Sequence, residues 1–429
     1  MTADLANDVR IPDAIAASLV DPSAYASQRI FDSYRWLREN MPLAVAEPEG
    51  FDPFWVVTKH ADILHVSRNN DLFPSGERAT TLGNKAHIAR SIEITGTPNL
   101  ARTLIQMDGR DHRKYRGLTQ AWFAASSVRR REEAIVALSA ATVARFERLG
   151  GSCDFVKDIA LEYPLRVVMD ILGVPDQEFP RMLRLTQELF GPQDPDNIRA
   201  GAPTTSSQYT AGVQAAVRDF NTFFSGISAD RRANPRDDLA TLIAMAEIDG
   251  VPIGEREATS YYMIVASAGH DTTSYSISTA MWALATVPGL LGTLKDSPEL
   301  IPQFVEETIR WASPVKTFMR SASEDTELRG QKIRKGEWLA LCYASGNRDE
   351  EIFDRADEFD ITRKPNAQLA FGFGAHNCLG QHLARSEMRH LFGALLPRLK
   401  NVELAGEAKT VQSWFVNGLK SLPIRYELA

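Results

Sequence analysis

The chain has 429 residues, 44% hydrophobic and 24% charged, a balance that excludes a mainly disordered polymer. Its formal net charge of −7, from 48 basic and 55 acidic residues, argues against nucleic acid as the main partner. Three widely spaced cysteines, Cys153, Cys342 and Cys378, do not read as a disulfide framework and point to a reducing, cytoplasmic setting.

Met1 to Asp8 carry no basic region followed by an apolar core, so no signal peptide is expected. No apolar run reaches the roughly 18 residues that a membrane span needs. Residues 1–50 read as a mobile start followed by a helix around Tyr34 to Glu39. Trp55 to Thr58 is a β-branched run and predicts a strand, and Ala61 to Asn69 predicts a helix. Pro74 to Gln106, rich in Gly, Thr, Asn and Pro, reads mainly as a long loop; such loops are usually functional or disordered. Asp108 is a candidate helix cap for the run that follows. There His112 and Arg116 are four apart and share one helical face, while Arg110, Arg113 and Lys114 point elsewhere, as a solvated or electropositive surface. Helices are expected over Glu132 to Leu149 and Ile159 to Gly173, the second broken by Pro175. Phe179 to Asp230 reads as helices interrupted at Gly191 to Pro195 and at the polar tract Pro203 to Gln208.

Gly254 to Thr286 contains no proline and reads as one helix of about 33 residues, roughly 50 Å long. Its middle, Ala268-Gly269-His270-Asp271-Thr272-Thr273, is unusual. Glycine costs about 1 kcal/mol in a helix interior. Threonine can bond back to a carbonyl one turn earlier and bend the helix. A local widening is expected there, although Thr272 also suits a hydroxyl satisfied by its own helix. His270 is expected to pair with a neighbouring helix. Ser297-Pro298 reads as a helix start, and Glu307 and Arg310 can meet at i, i+3. Pro314 to Met319 predicts an extended segment, and Trp338 to Tyr343 a strand of a small sheet.

The most specific stretch is Phe371-Gly372-Phe373-Gly374-Ala375-His376-Asn377-Cys378-Leu379-Gly380. A helical pattern follows, with Leu379, Leu383, Ala384, Met388, Leu391, Phe392 and Leu395 on one face, stopped by Pro397. Glycines let the backbone approach a flat ligand closely. A sulfur at a helix start sits where free N–H groups favour the thiolate. A lone cysteine is also commonly a small buried hydrophobe. Zinc held by Cys378 with His376 and His382 lacks a second ligand cluster.

The string resembles the haem-binding signature of the cytochrome P450 family, with Phe371, Gly374, His376, Cys378 and Gly380 in place. The resemblance implies one domain over residues 1–429, mainly α with a small β region. Haem b would lie between the long central helix and the helix that follows the cysteine. Cys378 would ligate the iron, within a loop that includes Phe371, Gly372, His376 and Gly380. His112, Arg116 and Arg320 would hold the propionates. Asp271 and Thr272 match the family's acid–alcohol pair, which feeds protons to the oxygen chemistry. Glu307 and Arg310 match a buried structural pair, with Arg348 as a third member. Val265, Ala268, Thr317, Phe318 and Phe415 would line the substrate pocket, under a lid formed by 179–230. No fused reductase is visible, so electrons would come from a ferredoxin with its NAD(P)H-dependent reductase. That partner would dock on Arg113, Lys114, Arg385 and Arg389. Glu307 to Asn366 and Phe371 to Gly406 look most like the family's terpineol-hydroxylating branch, which implies O2-dependent hydroxylation of a monoterpenoid or small aromatic hydrocarbon. A peroxide-driven enzyme is disfavoured because Asp271 and Thr272 are both present; a non-catalytic haem sensor is the remaining alternative.

Overall fold

A computed structural model describes residues 9–197 and 206–429. Of the expected mobile start only residues 1–8 lie outside that range, and Asp13–Leu19 and Pro22–Ala26 are helical rather than loose. Of the expected polar break, 203–205 lie outside it and 206–208 already belong to a long helix. The architecture is mainly helical, with a small β region, as expected. Seven helices matter for the site: α1 (Gly109–Gln120), α2 (Glu162–Leu172), α3 (Phe179–Phe190), α4 (Ser206–Ala233), α5 (Glu255–Thr286), α6 (Ile301–Ala312) and α7 (Gln381–Leu395). The hub is α5. It has 32 residues, about 48 Å at 1.5 Å per residue, and packs against α2, α3, α4 and α6. Glu255 and Glu257 in its first turn suit the positive end of the helix. Val287 is forced into an extended conformation by Pro288, which ends it. Buried residues occur on every side of α5, the pattern of a helix inside a core. Among the described residues no single helix is long and apolar enough to cross a membrane.

The main sheet has four strands: β1 (Leu43–Ala46), β2 (Phe54–Val57), β3 (Thr317–Ser321) and β4 (Trp338–Cys342). The order is β1-β2-β4-β3, with β2 and β4 parallel and the other pairs antiparallel. It holds the segment after α6 beside the cavity described below. The apolar face read after Cys378 is real: Leu383, Met388, Leu391, Phe392 and Leu395 of α7 are buried.

Three local expectations change. The stretch from Pro74 to Gln106 contains a helix, Lys85–Thr95, capped by the Asn84 side chain on the His87 N–H at 2.8 Å. Ser297 makes no side-chain cap; a short 3-10 turn, Pro298–Leu300, leads into α6 instead. Asp108 does not cap α1 through its side chain, because its carboxylate is committed to the N–H groups of Ser75 (2.9 and 3.0 Å) and Gly76 (2.7 Å).

Glu307 and Arg310 form a fully buried bidentate pair at 2.7 and 2.8 Å. Arg310 also donates to the carbonyls of Asn347, Ala356 and Glu358 at 2.6–2.9 Å. Glu307 accepts from the Asp360 N–H (2.8 Å), Arg363 (3.2 Å) and Asn366 (3.0 Å). The third member is therefore Arg363. Arg348 is instead stacked over Phe31 and Trp311, at 3.7 and 4.3 Å from their ring centres. The network pins the coil between β4 and the cysteine loop onto α6.

Candidate active site

The cysteine loop is a tight backbone device. The Cys378 N–H donates to the Phe371 carbonyl at 2.7 Å, and Asn377 Nδ2 donates to the Gly372 carbonyl at 3.0 Å. Gly374 has φ +70° and lies against helix His60–Arg68; a Cβ there would sit 2.0 Å from the Ser67 carbonyl oxygen. Gly380 is different. Its φ is −83° and an added Cβ would meet nothing within 4 Å, so its smallness leaves room beside the sulfur rather than relieving strain. The Arg385 guanidinium lies 4.3 Å over the Phe371 ring. Burial pushes the Cys378 thiol up, against the pull of the Gly380 and Gln381 N–H groups and of Arg116 and Arg385. The helix start alone therefore does not deliver a thiolate: α7 begins only at Gln381, and burial outweighs it. A thiolate at this point needs a cation facing the sulfur.

Cys378 opens onto a cavity that is also lined by Phe371, Gly372, His376, Gly380, His112, Arg116 and Arg320. One edge of it carries unmatched donors. His112 is buried, its Nε2 has no partner, and burial lowers its pKa to about 4. Arg116 donates to the Asn377 carbonyl (2.8 Å) and Arg320, itself buried, to the Met319 carbonyl (2.7 Å). Among the described residues neither guanidinium has a carboxylate partner within salt-bridge range. His376 packs against His112, ring centres 4.4 Å apart, with its Nε2 3.5 Å from Asp108. A sulfur on one wall, with two guanidinium cations and the unpartnered nitrogen of His112 on one edge, fits a flat, metal-bearing ligand with acidic substituents.

The opposite wall is α5, through Val265, Ala268 and Thr272. The helix runs without interruption, so the expected widening is absent. Thr272 Oγ1 bonds back to the Ala268 carbonyl at 2.7 Å. Gly269 serves close packing instead, since a Cβ there would lie 2.8 Å from the Val168 side chain on α2. Asp271 does not line the cavity. It is 1% exposed, neither carboxylate oxygen has a hydrogen-bond partner, and burial raises its pKa from 3.8 to about 8. His270, fully buried, pairs with neighbouring elements as expected: Nε2 with the Leu161 carbonyl (2.9 Å) and Nδ1 with Thr186 Oγ1 on α3 (2.8 Å).

The raised Asp271 value has a measurable sign. Between pH 3.8 and about 8 the folded protein keeps a proton that the unfolded chain has lost, so this group's contribution to stability falls as pH rises through that window. Asp271→Asn should therefore melt higher than the parent at pH 7, with a gain that shrinks toward pH 4. A difference that does not change with pH would contradict it.

Of the apolar set, Val265, Ala268, Phe318 and Phe415 meet in the cavity, and Thr317 does not. Thr317 and Phe318 are neighbours on β3 and must face opposite ways; Thr317 Oγ1 reaches the Trp414 carbonyl at 3.3 Å. Phe318 and Arg320 share the cavity side. The sequence reading missed Ile105, inside the short 3-10 turn Leu104–Gln106, and Phe190, Val315 and Val416, which lie in coil or at an element end where no period marks them. Phe415 stands on the loop between the short strands Lys409–Thr410 and Leu419–Ser421. Phe190 meets it edge-on, ring centres 5.9 Å apart. Fully buried Asp194, just beyond α3, accepts from Lys420 (2.8 and 3.0 Å) and from the Gln412 N–H (2.8 Å), binding the two segments together.

The four basic surface residues differ in their surroundings. Lys114 pairs with Asp249, and Arg385 is bidentate to Glu306. Arg113 and Arg389 are exposed. Arg385 and Arg389 border one depression together with Arg129, which the sequence reading did not single out.

Comparison with known proteins is consistent over the whole length. The cytochrome P450 family model matches residues 81–426. Cytochrome P450-terp of a Pseudomonas species is 45% identical over 98% of this chain and 99% of its own. Linalool 8-monooxygenase of Pseudomonas putida is 32% identical over 95% of this chain and 98% of its own. The crystal structure of CYP108D1 from Novosphingobium aromaticivorans superposes with a TM-score of 0.90 at 42% identity, covering 98% of this chain and 100% of that one. With the fold, the cysteine loop and this likeness all in agreement, the chain belongs to the cytochrome P450 family and is a haem-thiolate monooxygenase.

Proposed function

We propose that this protein, as one catalytic domain over its whole length, binds haem b through Cys378 and hydroxylates a compact apolar molecule, a monoterpenoid or small aromatic hydrocarbon. The observation that carries this is a largely apolar cavity between Cys378 and α5, closed by Phe190, Val315, Phe318 and Phe415. Linalool 8-monooxygenase by its name acts on a monoterpene alcohol, and a Mycobacterium marinum relative, 31% identical with a TM-score of 0.87, was solved with pseudoionone; both support that substrate class. Bound haem would supply activation of O2 and insertion of one oxygen atom into a C–H bond, with electrons from outside the chain.

The chain's own residues divide the work. Cys378 holds the metal side, fixed in place by the backbone bonds of its loop. Arg116 and Arg320 take the acidic substituents of the cofactor, assisted by the free Nε2 of His112. Phe318, Phe415, Val265 and Ala268 position the substrate and keep the site dry. Thr272 presents a hydroxyl at the wall. Asp271, held neutral by burial below about pH 8, stores a transferable proton one residue behind it. Glu307 and Arg310 keep the loop in place. Electrons arrive from a separate ferredoxin and its NAD(P)H-dependent reductase, in the cytoplasm, at the face carrying Arg129, Arg385 and Arg389, with Arg113 and Lys114 as further docking residues.

The test is a panel of monoterpenoids, small aromatics, steroids and fatty acids, scored by the low-to-high-spin change and by product formation with ferredoxin, reductase, NADH and O2. A monoterpenoid or small aromatic should give both signals. Response only to steroids or fatty acids would overturn the substrate class. Turnover with peroxide but none with ferredoxin would overturn the electron route.

A further inference from the structure

The buried contact between His270 and Thr186 lies directly beside the unpartnered Asp271. His270 Nε2 lies 2.9 Å from the Leu161 carbonyl, which can only accept, so Nε2 carries the ring proton. Burial lowers the His270 pKa to about 4, which keeps the ring neutral, and Nδ1 is then a lone-pair acceptor. One donor supplies it now: the Thr186 hydroxyl at 2.8 Å, reaching across from α3. The same hydroxyl is 3.0 Å from the Leu183 carbonyl, so it has one proton for two acceptors. A second candidate donor stands beside the ring. Asp271 Oδ1 is 3.4 Å from His270 Nδ1, beyond a good hydrogen bond, and neither Asp271 oxygen has another partner. A buried polar group left unpaired is destabilising, so the acid gains whenever Nδ1 becomes vacant. Among the described residues no Lys or Arg is within salt-bridge range of Asp271 to compete for it.

We propose that His270 and Thr186 are positioning residues for Asp271: with Thr186 seated on Nδ1 the acid stays unpaired and available to the site, and when α3 withdraws, Nδ1 captures the acid and removes it from proton delivery. The swap needs a movement of well under 1 Å by the carboxyl, from 3.4 Å to ordinary hydrogen-bond length. It makes proton supply conditional on the position of α3, the helix whose last residue, Phe190, touches the substrate cavity. An enzyme with its pocket open would then be slow to reduce oxygen without product. This inference rests on the reading of Asp271 as the proton donor.

The experiment uses the haem-loaded enzyme with ferredoxin, reductase and NADH. Thr186→Val keeps the shape and removes the hydroxyl. Substrate affinity from the spin-shift titration should stay within about twofold, while turnover falls about five- to tenfold and the solvent deuterium isotope effect grows. Thr186→Ser should behave as the parent. The double variant Thr186→Val with His270→Leu should recover turnover, because no acceptor remains to hold the acid. Parent-like turnover in Thr186→Val, or a double variant no faster than the single, overturns the inference and leaves Asp271's role standing if Asp271→Asn is slow. Parent-like turnover in Asp271→Asn overturns both.

Discussion

Replacing Cys378 by alanine should reduce product formation at least about a thousandfold, equivalent to roughly 4 kcal/mol on the barrier, and abolish the red-shifted ferrous–CO band. Neither of the other two cysteines can substitute. Cys342 is buried in β4, close to Tyr34, and Cys153 lies in the strand Ser152–Asp154; neither borders the cavity. Retained haem with an unshifted CO band is the expected state of the purified variant, because His112, Arg116, Arg320 and the apolar walls are untouched. A red-shifted band in Cys378→Ala would mean another sulfur ligates the iron. The thiol's upward pKa shift sharpens the argument: the sulfur is set for the metal rather than for free thiolate chemistry, so it should react slowly with alkylating reagents in haem-free protein.

Glu307→Leu should cost about 3–5 kcal/mol of stability, because it leaves the Arg310 charge buried without its carboxylate. Thermal or denaturant unfolding of the holo-protein would measure it, with haem loss as a second readout. Converting both members of an isolated buried pair to apolar residues often restores stability. That rescue should fail here. Arg310 serves three carbonyls and Glu307 also anchors Asp360, Arg363 and Asn366, so the double variant leaves several buried groups unpaired. A double variant as stable as the parent would reduce the network to a simple pair.

The sequence made legible whatever repeats or carries a dense motif. The length of α5, the buried face of α7 and the pairing of Glu307 with Arg310 all follow from spacing. Strand parity alone would have separated Thr317 from Phe318 and put Arg320 with the latter. What stayed hidden depends on distant chain segments. Asp108 looks like a cap for α1, yet Ser75 and Gly76 take its carboxylate from another part of the chain. Arg348 and Arg363 carry the same charge and both follow Arg310 at long range in sequence, and only the path of the coil decides which reaches Glu307. Gly269 hints at a bend, but its neighbour Val168 explains it by contact. The cavity's roof was the least legible part, because Phe190 and Val416 sit where helix and loop end and no pattern marks which way they turn.

The clasp of Asp194 on Lys420 and Gln412 has a bearing on how such an enzyme could acquire new substrates. It fastens the ceiling aromatics Phe190 and Phe415 into one unit, so trimming either ring leaves the other in place while the frame holds its span. Room for a bulkier molecule is more cheaply made from the side of α5, where Val265 and Ala268 are small and independently replaceable. Adaptation in this lineage should therefore accumulate along that helix before it reaches the ceiling.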